Sequence, residues 1–157
     1  MLARRDMFNI VLVQPDIPHN TGAIGRLCLA TKSSLHLVKP LGFDLDEKAV
    51  RRAGLDYWSD VDVTVWESLD EFWDSLIEGG QRFHLFTTKA TSVYWDASYE
   101  RGDYLVFGSE TRGLPESLLK KYSEASSTIP MDTQYVRSLN LATSAGIVIY
   151  EGLRQIS

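Results

Sequence analysis

The chain has 157 residues, 44% hydrophobic and 24% charged, which suits one globular domain spanning residues 1–157. A formal net charge of −5 argues against a protein that coats nucleic acid through its overall field. One cysteine, three histidines (His19, His36, His84) and the lack of a long apolar run exclude an internal disulfide, a zinc spacing and a spanning helix of roughly 20 residues.

Before the first strand, Met1 to Asp6 is too short and too charged for a secretory signal, so the expected compartment is the cytoplasm. Arg4 and Arg5 read as a solvated tail. Phe8 to Gln14 is a β-rich apolar run, a buried strand. The turn-rich stretch after it offers Asn20 or Thr21 as the cap of a helix from about Gly22 to Lys32. Ile24, Leu27, Cys28 and Thr31 would form its buried side. Leu35 to Lys39 predicts a second strand, and Asp46 to Ala53 a short charged helix stopped by Gly54.

Between Ala53 and Gln81 stand eight acidic residues and no Lys or Arg. The remainder carries 16 basic residues against 13 acidic ones (21 less 8), one acidic face beside a mildly basic remainder. Within that region Asp62 to Trp66 alternates as a strand. Ser68 to Glu71 fits a capping box that opens a helix through about Ile77. Trp66, Phe72 and Trp73 read as core or partner surface. Arg82 to Thr87 and Tyr104 to Gly108 are further strands. Pro115 marks the start of a helix to about Tyr122, Ser127 to Met131 is extended, and the last helix covers roughly Leu139 to Gln155. Strands alternating with helices, most strands wholly apolar, indicate an α/β fold with a mainly parallel sheet.

Three segments carry candidate chemistry. In Leu105-Val-Phe-Gly-Ser-Glu-Thr-Arg-Gly-Leu-Pro115 a buried strand runs into a loop with Gly108 and Gly113 and then a helix. Ligands in α/β folds bind beyond such carboxyl ends, and Glu110 and Arg112 would need solvent or a ligand there. An ordinary strand-to-helix turn explains the segment equally well, and the spacing is neither a dinucleotide fingerprint nor a P-loop. Ile129-Pro-Met131 and Arg137 to Ser144 form a second candidate loop, although Ser138 could be a plain N-cap and Asn140 a residue of the first helical turn. In Asn20-Thr-Gly-Ala-Ile-Gly-Arg26, Gly22 and Gly25 would let the helix pack closely. Cys28 reads as packing.

Taken together these segments resemble the SPOUT class of RNA methyltransferases, through N-x-G-x-x-x-R, F-G-x-E-x-x-G and I-P-M…S-L-N followed by Tyr150-Glu151. Val13 to Gly22, Lys39 to Phe43 and Arg51 to Tyr57 are similar to one bacterial branch, the tRNA (cytidine/uridine wobble) 2′-O-methyltransferases of the TrmL/YibK type. The resemblance runs from Phe8 to Gln155. It implies a sheet ending in a C-terminal trefoil knot, S-adenosylmethionine as cofactor, a homodimer, and the tRNA anticodon stem-loop as partner, with no metal and no membrane. Two departures bear on RNA specificity: Ser109 stands where close relatives usually have Pro, and Leu139-Asn-Leu-Ala-Thr replaces a more usual Met-Asn-Leu-Ser-Asn.

Carried over by position, the resemblance implies cofactor contacts at Phe86, Thr87, Gly108, Ile129, Met131, Ser138 and Leu139. Arg26, Ser138 and Asn140 would face the reacting ribose, Arg26 either in its own subunit or across a dimer. Asn20, Arg112, Arg137 and Tyr150 would meet RNA. For Arg112 and Arg137 the alternative is a salt bridge to Glu110 or Glu151. For Tyr57 and Trp58 base stacking competes with burial, and Tyr135 is a further stacking candidate. A guanidinium with a pKa above about 12 suits a phosphate clamp better than a general base. The remaining alternatives are a methyltransferase acting on another tRNA position or rRNA, a non-catalytic RNA-binding protein on the same fold, and a flavodoxin-like nucleotide binder.

Overall fold

The computed structural model describes residues 6–46, 48–53 and 55–156. The expected tail at Arg4 and Arg5 and the stop at Gly54 lie outside the described residues. Six strands form one parallel sheet: β1 (Asn9–Val13), β2 (Ser34–Val38), β3 (Val63–Trp66), β4 (Phe83–Phe86), β5 (Tyr104–Phe107) and β6 (Ser126–Ser127), in the spatial order β3-β2-β1-β5-β4-β6. The helices are α1 (Pro18–Thr31), α2 (Lys48–Ala53), α3 (Leu69–Glu78), α4 (Glu116–Lys121) and α5 (Leu141–Ile156).

Both faces of the central strands β1 and β5 are covered, which is why they read as apolar runs. Side chains alternate across a strand, so Ile10 and Leu12 of β1 join one core cluster and Val11 and Val13 the other. Ile24 and Cys28 of α1 and Val148 and Ile149 of α5 pack on the first face. Phe72 and Leu76 of α3 pack on the second, with Leu118 and Leu119 of α4 beside them. Phe8 is wholly buried, and a Cβ on Gly152 of α5 would stand 2.6 Å from its ring. That glycine sets how closely α5 approaches the sheet.

The acidic region folds with its aromatic residues inward. Phe72 is 1% exposed, and Trp66 donates its indole N–H to Nδ1 of His36 at 3.1 Å. Nε2 of His36 lies 3.0 Å from Oδ1 of Asn9 and is therefore its proton donor. Burial lowers the His36 pKa to about 4, against a smaller opposing pull from Asp62. Among the described acids of this region, from Asp60 to Glu78, every carboxylate is exposed. At the other end of the sheet, buried Asp103 accepts from His84, Arg82 and the Glu100 amide at 2.9 Å each. Burial would raise its pKa, but these three donors outweigh it and hold the carboxyl below its ordinary value.

Four expectations shift. Helix α1 starts four residues early, at Pro18, so neither Asn20 nor Thr21 caps it; Ile17 occupies the N-cap without a side-chain bond. Proline's fixed φ favours this start, and the cap comes from elsewhere. β6 is two residues rather than Ser127 to Met131, with a single bridge from Thr128 to Val93 continuing it. Helix α5 begins at Leu141, and Asn140, not Ser138, supplies its cap by accepting from the Thr143 amide at 3.1 Å. Short 3₁₀ turns at Leu55–Asp60, Tyr94–Asp96 and Ser123–Ala125 fill stretches for which the sequence predicts no element. The Ser68 cap holds as expected, accepting from Glu71 at 3.1 Å.

Candidate active site beyond β4 and β5

Strand order reverses at β1 and β5, since β2 and β3 lie to one side and β4 and β6 to the other. Loops leaving the strands there diverge and open a crevice at the carboxyl ends. A cleft of about 610 Å³ occupies this position, within the size range of small-molecule sites. Its floor is Phe86 and Phe107, stacked at 4.9 Å. Its walls are the loops after β4, β5 and β6 and the start of α5.

The loop after β5 folds tightly onto itself. A Cβ on Gly108 would meet the Gly113 carbonyl carbon at 2.2 Å and the Leu114 nitrogen at 2.3 Å, so only glycine fits. Gly113 has φ of +67°, a region that favours glycine. The Ser109 hydroxyl accepts from the Arg112 amide at 3.0 Å, and the Ser109 carbonyl accepts from Gly113 at 3.0 Å. The Ser109 side chain and carbonyl thus close this turn.

Glu110 was expected to need solvent or a ligand. Instead its carboxylate accepts from the amides of Asp16 and Ile17 at 2.8 and 3.0 Å and from the Asn20 side chain at 3.1 Å. These are the unpaired donors at the start of α1, where negative charge is favoured. Asn20, 4% exposed, then accepts from Nδ2 of Asn140 at 3.0 Å. One chain of bonds therefore ties the β5 loop to α1 and α1 to the start of α5.

The cleft brings together eleven of the candidates: Phe86, Thr87, Gly108, Ile129, Met131, Ser138, Leu139, Asn140, Asn20, Arg112 and Arg137. It does not include Arg26 or Tyr150, which are exposed on α1 and α5. Arg26 lies six residues beyond Asn20. In a helix that is about 9 Å along the axis and roughly 120° off the Asn20 face, so it points away from its own cleft. Its guanidinium sits over the Tyr57 ring, 5.8 Å from the centroid. Neither Arg112 nor Arg137 pairs with Glu110 or Glu151; the latter is held by Arg154 and Gln155 at 2.8 Å each.

The amides of Ile129, Met131, Ser138 and Leu139 donate to no other described residue. They border a space lined by Leu114 and Leu141 as well. Apolar walls bordered by such unengaged backbone donors suit a flat heteroaromatic group with polar edges. Thr88, Lys89 and Ile17 also line the cleft and were missed. Lys89 follows β4 by three residues, so the rule that ligands meet the carboxyl ends of parallel strands could have found it.

The sequence profile of the SpoU rRNA methylase family matches residues 7–150. The chain belongs to this family. A Burkholderia cenocepacia protein named tRNA (cytidine(34)-2′-O)-methyltransferase is 44% identical over 150 residues, covering 95% of this chain and 96% of that one. A Listeria monocytogenes protein provisionally given the same name is 49% identical, covering 94% and 87%. A solved structure described as giving insight into 2′-OH methylation of C/U34 on tRNA superposes with a TM-score of 0.89 at 42% identity, covering 96% and 97%. The strand order and cleft described above are thus those of a SpoU methylase chain aligned over almost its full length.

Proposed function

We propose that this chain is an S-adenosylmethionine-dependent methyltransferase acting on the ribose 2′-hydroxyl of the wobble nucleotide of tRNA, a cytidine or modified uridine in the anticodon loop. The match at 44% identity over nearly both full lengths to a tRNA (cytidine(34)-2′-O)-methyltransferase carries this reading. The cleft supports it, because apolar walls and unengaged amides fit an adenosine-bearing cofactor. Phe86, Thr87, Gly108, Ile129, Met131, Ser138 and Leu139 would hold that cofactor. When bound it supplies a methyl group already electrophilic on a sulfonium.

The chain's own residues then have two tasks, alignment of the ribose oxygen and stabilisation of charge as its proton leaves. Ser138 reaches the cleft with a hydroxyl that bonds no other described residue and would meet the ribose. Asn140 keeps one amide hydrogen beyond its bonds to Asn20 and Thr143. Arg26 would clamp the adjacent phosphate and stabilise the developing alkoxide. Because it faces away from its own cleft, it would do so in the site of a second copy, making a homodimer the working unit. Arg112, Arg137 and Asn20 would grip the RNA at the mouth, with Tyr150 on the exposed side of α5.

The knotted topology belongs to the same proposal. After β6 the Thr128 amide donates to Ser92 at 2.8 Å and its carbonyl accepts from Tyr94 at 3.0 Å, and the chain then returns to pack α5 on α1. A single domain in the cytoplasm, where tRNA is processed, completes the reading. Labelled methyl transfer to unmodified tRNA followed by nucleoside mapping tests it. The expected product is a 2′-O-methylated wobble nucleotide; methylation only elsewhere would contradict the substrate, and no transfer at all the activity.

A further inference from the structure

Arg26 has an unusual neighbour for a guanidinium on an exposed helix. It forms no ion pair with a described residue, and its partner is the face of Tyr57. Tyr57 stands in the 3₁₀ turn Leu55–Asp60 and is 48% exposed. The next residue, Trp58, is wedged against Gly25, where a Cβ would meet its ring at 2.6 and 3.0 Å. Consecutive residues of the turn therefore contact consecutive residues of α1, Trp58 on Gly25 and Tyr57 on Arg26. The contact of half-buried Trp58 with buried Gly25 fixes the turn, and the turn then sets where the tyrosine ring stands.

The chemistry of the contact matters. A carboxylate partner would orient a guanidinium but also neutralise it and compete with an incoming phosphate. An aromatic face attracts the cation without cancelling its charge and leaves the N–H edge open for bidentate bonding. Arginine has many rotamers, and fixing one before the reaction removes that ordering cost from the transition state.

We infer that Tyr57 is a positioning residue for Arg26, a shelf that holds the guanidinium oriented and uncompensated for a phosphate of the RNA substrate. This rests on the proposed role of Arg26. Tyr57 need not touch the substrate, and its hydroxyl is not required.

The test compares Tyr57→Phe and Tyr57→Leu in the full chain with saturating cofactor, over a range of tRNA concentration. Y57F keeps the ring and should retain kcat within about two-fold. Y57L should lose about three- to five-fold in kcat, the size of an exposed cation–π contact, with the KM for tRNA, the melting temperature and cofactor binding by calorimetry little changed. In an Arg26→Ala background Y57L should have no further effect, because the shelf then has nothing to hold. A Y57L chain with unchanged kcat, one that raises KM alone, or one that lowers R26A by the same factor would overturn the inference. So would a Y57L chain that melts early and loses cofactor, since the residue would then act in the fold. If R26A itself turns over normally, the failure lies with the role of Arg26 and not with the shelf.

Discussion

At the scale of single residues, Glu110 corrects the plainest expectation about the site. Its charge and its place after β5 suggest a group aimed at a ligand, yet its oxygens are taken by two amides of the α1 start and by Asn20. No local sequence pattern reveals this, because the partners lie 90 or more positions away. Glu110→Gln leaves an amide hydrogen facing those donors and should cost about 1–3 kcal/mol. Urea unfolding checks it: the midpoint should fall with the slope unchanged. A midpoint equal to that of the unmodified chain would mean that solvent satisfies the helix start equally well.

Cys28 makes a second residue-scale case, and here the sequence was legible. Its position on the apolar side of a helix implied packing, and it is fully buried, with burial pushing the thiol pKa up strongly and Asp62 adding to it. A thiol that is neither exposed nor ionised is a poor nucleophile. The native chain should therefore leave a disulfide reagent unreacted until it unfolds. Rapid colour development in native buffer would place Cys28 nearer the surface.

At the scale of elements, apolar runs and alternation located the first five strands to within a residue or two, because the apolar side chains they bury leave a strong signal. The boundaries that moved are those set by distant partners. Helix α1 starts at Pro18, and the two amides that lead into it are held by Glu110 of a distant loop; β6 stops at Ser127 because only β4 and a single bridge to Val93 support it. The cap of α5 falls to Asn140 rather than Ser138; both residue types cap well, and sequence alone does not rank them. Helix packing also depends on glycines whose neighbours are far away in sequence. Gly152→Ala would push a methyl group to 2.6 Å from the Phe8 ring and should destabilise the fold by about 1–3 kcal/mol. Gly146→Ala on the same helix, whose Cβ would meet only Leu27 at 3.8 Å, should be neutral or slightly stabilising. Equal melting temperatures for the two variants would remove Gly152 as the determinant of helix approach.

At the scale of the whole molecule, two buried groups divide the pH dependence of stability. The His36 pKa falls from 6.5 unfolded to about 4 folded, so the unfolded chain binds the extra proton first. Its contribution is complete above about pH 6.5 and is lost as pH falls toward 4, amounting to up to about 3 kcal/mol. Asp103, held below its ordinary value, acts lower: its contribution is present above the unfolded carboxylate range and is lost beneath it. Urea midpoints at pH 7.5, 5.5 and 4.5 should decline across the first window, and His36→Gln should flatten that decline. An unaltered slope in the variant would assign the proton to another group.

The proposed dimer is the part of the account that a single chain least discloses. Residue types and order marked Arg26 by resemblance, but only the helix geometry turns it away from its own cleft. Inactive Arg26→Ala chains refolded together with inactive Leu139→Arg chains, whose clefts are blocked, should regain part of the activity if the arginine acts across the dimer. No recovery would place Arg26 in its own site.

The most direct measurement of the central claim uses two synthetic anticodon stem-loops that differ in one atom, a wobble 2′-hydroxyl against a 2′-deoxy sugar. With labelled S-adenosylmethionine, the hydroxyl-bearing RNA should accept one methyl group at the wobble ribose and the deoxy RNA none. Equal labelling of both would contradict ribose methylation at that nucleotide and with it the account given of the cleft.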